Sequence, residues 1–176
     1  MEALLGLLTA ASALFYFLSS LSLFRLHRAV GEDAFLRLTF SFALLGTGQL
    51  LMLLSLFSSE DMSFALYTSS TAFAVSGYLS MIRARQVLAI ISPLVLIPSG
   101  LDSLALLSSS YVSYTSRGFV RTAFLLLAIA HLGRSVGPLA ASLQALSDLE
   151  TSILVWAELL RSLAALILAA RYRKLI

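Results

Sequence analysis

Residues 119–143 read FVRTAFLLLAIAHLGRSVGPLAASL, and residues 151–170 read TSILVWAELLRSLAALILAA. Each is long and apolar enough to cross a bilayer core about 30 Å thick, which takes roughly 20 helical residues at about 1.5 Å each. Between them, Ser147-Asp148-Leu149-Glu150 has the form of a capping box, in which the Ser hydroxyl and the Glu carboxylate satisfy N–H groups at a helix start. The two stretches therefore predict a transmembrane hairpin. Four more stretches satisfy the same length rule: 3–24, 35–57, 62–82 and 87–107.

The expectation is an all-α, polytopic transmembrane helical bundle forming a single integral membrane domain over 1–176. Its spans fall at about 3–24, 35–57, 62–82, 87–107, 119–143 and 151–170. This six-span reading has five and seven as neighbouring counts. The first stretch carries Glu2 where a signal peptide has bases, and Arg25, His27 and Arg28 where it has a cleavage site, so it reads as a span.

Composition agrees. Of 176 residues, 59% are apolar and only 12% charged, with a mean hydropathy of +0.94. A soluble domain needs about twice that charge to face water. A basic nucleic-acid binder and a disordered tail are excluded on the same ground, and a multi-pass protein of the cell membrane is expected. With no Cys, disulfides, thiolate zinc, iron–sulfur clusters and thiol nucleophiles are excluded too. Asn is absent and Lys174 is the single lysine among 12 basic residues, a pattern read as thermophilic and prokaryotic.

Most charges mark helix ends. Glu32 and Asp33 open the second span, and Glu60 and Asp61 the third. Arg25 and Arg28 close the first, Arg83 and Arg85 the third, and Arg171, Arg173 and Lys174 the sixth, as the helix macrodipole favours. For six alternating spans, Arg25, Arg28, Arg37, Arg83 and Arg85 face one side and Arg117, Arg121, Arg171, Arg173 and Lys174 the other, so the positive-inside rule gives no orientation. The tie, and the match of Phe35-Leu36-Arg37 to Phe119-Val120-Arg121 with Phe40 to Phe124, point to a 3+3 inverted repeat.

Helices in lipid associate by close backbone approach. Ala65, Ser69, Ala72, Ser76 and Ser80 recur at helical spacing and are expected to form the packing face of the third span. Tyr111, Tyr114, Trp156 and Tyr172 read as interfacial anchors.

Polarity inside the spans is uneven. The second half holds Asp102, His131, Arg134, Glu158 and Arg161, together with Pro93, Pro98 and Pro138, which predict kinked or broken helices. An ionised side chain at membrane depth costs at least about 2.5–3.5 kcal/mol and so faces a partner or a polar interior. Counting from Ser147, Arg134 lies 13 residues before the hairpin turn and Glu158 11 after it, a depth difference of about 3 Å. Arg134 and Glu158 should therefore meet, with His131 and Arg161 one turn deeper. Asp102 would complete an intramembrane cluster of two acids and two arginines, serving binding or subunit contact.

No Walker loop, GxGxxG, HExxH or GxSxG is present. The expectation is a non-enzyme without cofactor or metal: a structural or assembly subunit of a larger membrane complex. The alternative is a transport or solute-binding module using the charge cluster in helices four to six. Expected partners are the lipid bilayer and other membrane subunits or a second copy, with a small-molecule ligand under the alternative and no nucleic acid.

Overall fold

The computed structural model describes residues 2–82, 100–142 and 147–174, and these are all-helical. The helices are α1 (Glu2–Val30), α2 (Asp33–Ser55), α3 (Glu60–Met81), α4 (Gly100–Thr115), α5 (Gly118–Ser142) and α6 (Ser147–Arg173). Four stretches, Ala3–Val30, Asp33–Ser55, Gly118–Val136 and Ser152–Arg173, are long and apolar enough to cross a membrane, which marks a membrane protein. α3 is diluted by its hydroxyls, and α4, at 16 residues, is about 24 Å long.

The fourth span departs from its expected bounds of 87–107. The described helix is Gly100–Thr115, while 87–99, with Pro93 and Pro98, lie outside the described residues. The run Ser108 to Thr115 looks like a loop by composition. In the helix its hydroxyls are satisfied locally: Ser108, Ser109 and Thr115 bond back to the carbonyls of Leu104, Ala105 and Tyr111. Pro138 lies within α5, which continues to Ser142, so the expected break there is not seen.

Helix directions follow from paired residues. Ser20 bonds the Thr39 carbonyl at 2.9 Å and Gly6 packs near Leu53, so α1 and α2 are antiparallel. Ser41 meets Ser80 while Gly48 lies against Ser70, so α2 and α3 are antiparallel. Against α5, Tyr67 of α3 reaches Arg134 and Tyr78 reaches Phe124, while Asp102 of α4 reaches His131 and Ser113 the Arg121 carbonyl. Both α3 and α4 thus oppose α5 and run parallel to each other. Finally, Ser12 of α1 bonds Ser162 of α6 at 2.8 Å, and Arg25 shares a groove with Arg173, so α1 and α6 are parallel. Each helix packs on the next and α6 returns to α1, closing a ring.

The described helices do not confirm the 3+3 inverted repeat. Inversion requires α4 to oppose α1, but α1–α2–α3 and α4–α5–α6 run in the same sense. Their directions also bear on the five-against-five count of bases, of which Arg83 and Arg85 lie outside the described residues. Exposed Arg25, Arg28, Arg37, Arg117, Arg121, Arg171, Arg173 and Lys174 all lie at one end of the bundle, joined there by Glu32 and Asp33, while Glu60 and Asp61 lie at the other. A balanced count requires α3 and α4 to be antiparallel neighbours.

The packing face of α3 also differs from expectation. Ala65, Ser69 and Ser76 are exposed and Ala72 is half-buried; Ser80 alone of that stripe reaches α2, through the Ser41 hydroxyl. The buried face is Ser70, Thr71, Ala74, Val75, Gly77 and Tyr78. Two glycines decide it: a Cβ on Gly48 would lie 2.8 Å from the Ser70 carbonyl oxygen, and one on Gly77 3.0 Å from that of Ser41. Ser76 can face outward because its hydroxyl bonds the Ala72 carbonyl of its own helix.

At the basic end, aromatic rings fill the ring's interior. Phe42 stacks on Tyr16 at 6.2 Å and meets Tyr172 edge-on at 5.4 Å. Tyr172 is therefore buried in the core, whereas Tyr114 and Trp156 are exposed. The turn between α1 and α2 rests on Gly31 at φ 78°, a left-handed conformation that glycine adopts without strain, with its N–H bonded to the His27 carbonyl.

Candidate functional site

The ring's interior is polar in the half nearer the acidic end. Glu158 lies 11 residues into α6 and Arg134 lies 16 into α5, which places both about 15–25 Å along their helices. Their side chains turn inward because the lipid-facing positions beside them, Leu132, Leu159 and Leu163, take the outside. Arg134 and Arg161 are 2% exposed and Glu158 and His131 1%, so these charges are shielded within the bundle rather than presented on its surface.

Two connected groups make up the site. In the first, Glu158 Oε1 accepts from Arg161 Nη1 at 2.8 Å and from Arg134 Nη1 at 3.4 Å. In the second, the Asp102 carboxylate stands between three donors. Tyr67 donates its hydroxyl to Oδ2 at 2.8 Å, His131 Nδ1 lies 3.3 Å from Oδ1, and Arg134 Nε is 3.7 Å from the same oxygen. Arg134 joins the groups, and its remaining faces are covered by the Tyr67 ring, 4.7 Å away, and by Met52 Sδ at 3.7 Å.

His131 is held at both nitrogens. A carboxylate only accepts, so the neutral imidazole carries its proton on Nδ1 toward Asp102 and offers Nε2 to the Tyr78 hydroxyl, 3.0 Å away. The result is a continuous Tyr78–His131–Asp102–Tyr67 hydrogen-bonded chain linking α3, α4 and α5. The net formal charge of the four ionised groups is zero, two carboxylates against two guanidiniums.

The structure brings all five candidate residues, Asp102, His131, Arg134, Glu158 and Arg161, into one network. It adds residues that charge placement alone does not single out: Tyr67 and Tyr78 from α3 and Met52 from α2. The signal for the two tyrosines is a phenol within an apolar helix, since a buried tyrosine needs a partner for its hydroxyl.

Five buried polar atoms make no hydrogen bond among the described residues: Arg134 Nε, Glu158 Oε2, Arg161 Nη2, Tyr16 Oη and Gln49 Oε1. Three of them belong to the Arg134–Glu158–Arg161 group; Arg134 Nε still faces Asp102 Oδ1 at 3.7 Å, which leaves one donor, Arg161 Nη2, and one acceptor, Glu158 Oε2, uncommitted. Such groups cost about 1–3 kcal/mol each when buried and unpaired. Among the described residues no three acidic, His or Cys side chains converge as a metal site. Compared with family models, with curated proteins and with solved structures, the chain matches none.

Proposed function

We propose that the protein is a membrane-embedded module that binds, and by extension transports, a small polar solute at the Arg134–Glu158–Arg161 group. One observation carries this reading: fully enclosed charged side chains retain an uncommitted donor, Arg161 Nη2, and an uncommitted acceptor, Glu158 Oε2, inside a helical ring. Ionisable residues at membrane depth are expensive, and those that persist mark solute or proton sites. A solute with a carboxylate and an ammonium or hydroxyl group complements Arg161 Nη2 and Glu158 Oε2. No catalytic step is assigned to these residues.

The enclosed position favours this over a contact-face role, because a residue 1–2% exposed touches no other subunit. A second reading, a non-catalytic structural or assembly component, draws support from charge balance: two acids and two arginines pair internally and lock α4, α5 and α6 together. The test is thermal stability in mild detergent with each of the twenty proteinogenic amino acids at millimolar concentration. Binding at 100 times Kd stabilises by about 2.7 kcal/mol, a rise of several degrees. The expected result is stabilisation by one or a few of them, lost in Arg161→Gln. Stabilisation by none, with a stoichiometric partner recovered from the native membrane, supports the second reading instead.

The proposed membrane arrangement has the basic end toward the cytoplasm, following the positive-inside rule. It also treats α1–α2–α3 and α4–α5–α6 as two units of the same sense. α1 and α4 end at 30 and 115, α2 and α5 start at 33 and 118, and α3 and α6 start at 60 and 147, offsets of 85, 85 and 87. At an offset of 85, buried Gln49 occupies the place of Arg134.

A further inference from the structure

A groove of about 740 Å³ runs along the outer face of the bundle between α1 and α6 and opens at the basic end. Its wall includes Leu18, Leu21 and Leu166, each 44–47% exposed, and its mouth carries Arg25, Arg173 and Lys174. The charge at the mouth is wholly positive: the only acids at that end among the described residues, Glu32 and Asp33, open α2 and line no part of the groove. The parallel course of α1 and α6 creates this asymmetry, because the C-terminal turns of two neighbouring helices, each carrying bases, finish side by side. An apolar trough ending in three cations at the bundle's charged end matches one molecule a membrane supplies, a phospholipid with an anionic headgroup.

We propose that the α1–α6 groove is a binding site for an anionic phospholipid, with an acyl chain along Leu18, Leu21 and Leu166 and the phosphate held by Arg25, Arg173 and Lys174. The three side chains are long enough to snorkel along the groove and place their charges at headgroup level. Attraction of one basic side chain to an anionic membrane surface is worth about a fivefold gain in affinity, so three give on the order of 100-fold preference for an anionic over a zwitterionic lipid.

The test is native mass spectrometry of the full chain in mild detergent, titrated with equimolar phosphatidylglycerol and phosphatidylcholine of identical acyl chains. The unaltered protein should retain phosphatidylglycerol preferentially. Arg25→Gln/Arg173→Gln/Lys174→Gln should bind both alike, whereas Arg117→Gln/Arg121→Gln, at the same end but outside the groove, should keep the preference. Lys174→Gln alone, at the exposed end of α6, should lower the preference about fivefold and needs no refolding of the bundle. Equal binding of the two lipids by the unaltered protein overturns the proposal, as does a preference that survives the triple substitution. So does displacement of the lipid by millimolar inorganic phosphate, since the site requires the acyl chain as well as the headgroup.

Discussion

Among the described residues Glu158 is the single acidic partner of Arg161, and it shares Arg134 with Asp102, so removing its charge has unequal consequences for the two arginines. In Glu158→Gln, Arg134 retains the Asp102 carboxylate at 3.7 Å, while Arg161, 2% exposed, is left without an ionic partner. Breaking a buried pair from one side costs about 3–5 kcal/mol. At about 2–4 °C per kcal/mol for a chain of this size, Glu158→Gln should lower the unfolding midpoint in mild detergent by about 6–20 °C. Adding Arg161→Gln removes the stranded cation and should recover much of that loss. Combining Glu158→Gln with Arg134→Gln should recover less, because Asp102 then loses its guanidinium. The assay is a double-mutant cycle read by detergent thermal melts, in which coupling for Glu158–Arg161 exceeds that for Glu158–Arg134. Strictly additive losses, or the reverse order of coupling, would falsify the pairing of Glu158 with Arg161 as the stronger of its two contacts.

Other outcomes follow from separate contacts. Gly48→Ala places a Cβ 2.8 Å from the Ser70 carbonyl and should depress the melting midpoint sharply, whereas Gly6→Ala, whose Cβ meets only side chains at 3.8 Å, should be tolerated; equal effects would contradict the described α2–α3 seam. Tyr78→Phe removes the hydroxyl beside His131 Nε2 and should cost about 0.5–1.5 kcal/mol while shifting that nitrogen's NMR resonance. An unmoved resonance would mean the two groups do not bond. The chain has no cysteine, so Arg28→Cys, Asp61→Cys and Arg117→Cys can each report membrane sidedness to an impermeant thiol reagent. Positions 28 and 117 should label from the same side and 61 from the other. Six alternating spans place 61 and 117 together, and that result would overturn the parallel course of α3 and α4.

The parts of the fold legible in the sequence are those where local chemistry is decisive. Hydropathy located α1, α2, α5 and α6, and acids at the openings of α2 and α3 fell where the macrodipole favours them. Depth counted from Ser147 placed Arg134 opposite Glu158 because a hairpin turns a difference in residue number into a distance, and the side chains stand 3.4 Å apart. Direction was not legible in the same way. Whether α3 and α4 are parallel depends on which residues face α5, and Tyr67 and Tyr78 reveal that only through their contacts. The small-residue stripe of α3 failed for a related reason: serine that bonds its own helix is as acceptable to lipid as to a neighbour, so spacing alone does not choose the buried face. In the structure Gly48 and Gly77 mark that face, since a close backbone crossing requires the missing Cβ.

The Ser12–Ser162 bond closes the ring across 150 residues of sequence. At synthesis rates of about 5–20 residues per second, α1 waits roughly 8–30 s in the membrane before its α6 partner is made. The charges arrive in a matching order. Asp102 is followed by Arg134, then Glu158, then Arg161, each after a residue of opposite sign has been translated. Chain order thus limits how long any of these ions remains uncompensated during insertion, and the last helix, which carries both Glu158 and Arg161, shuts the bundle without changing its net interior charge.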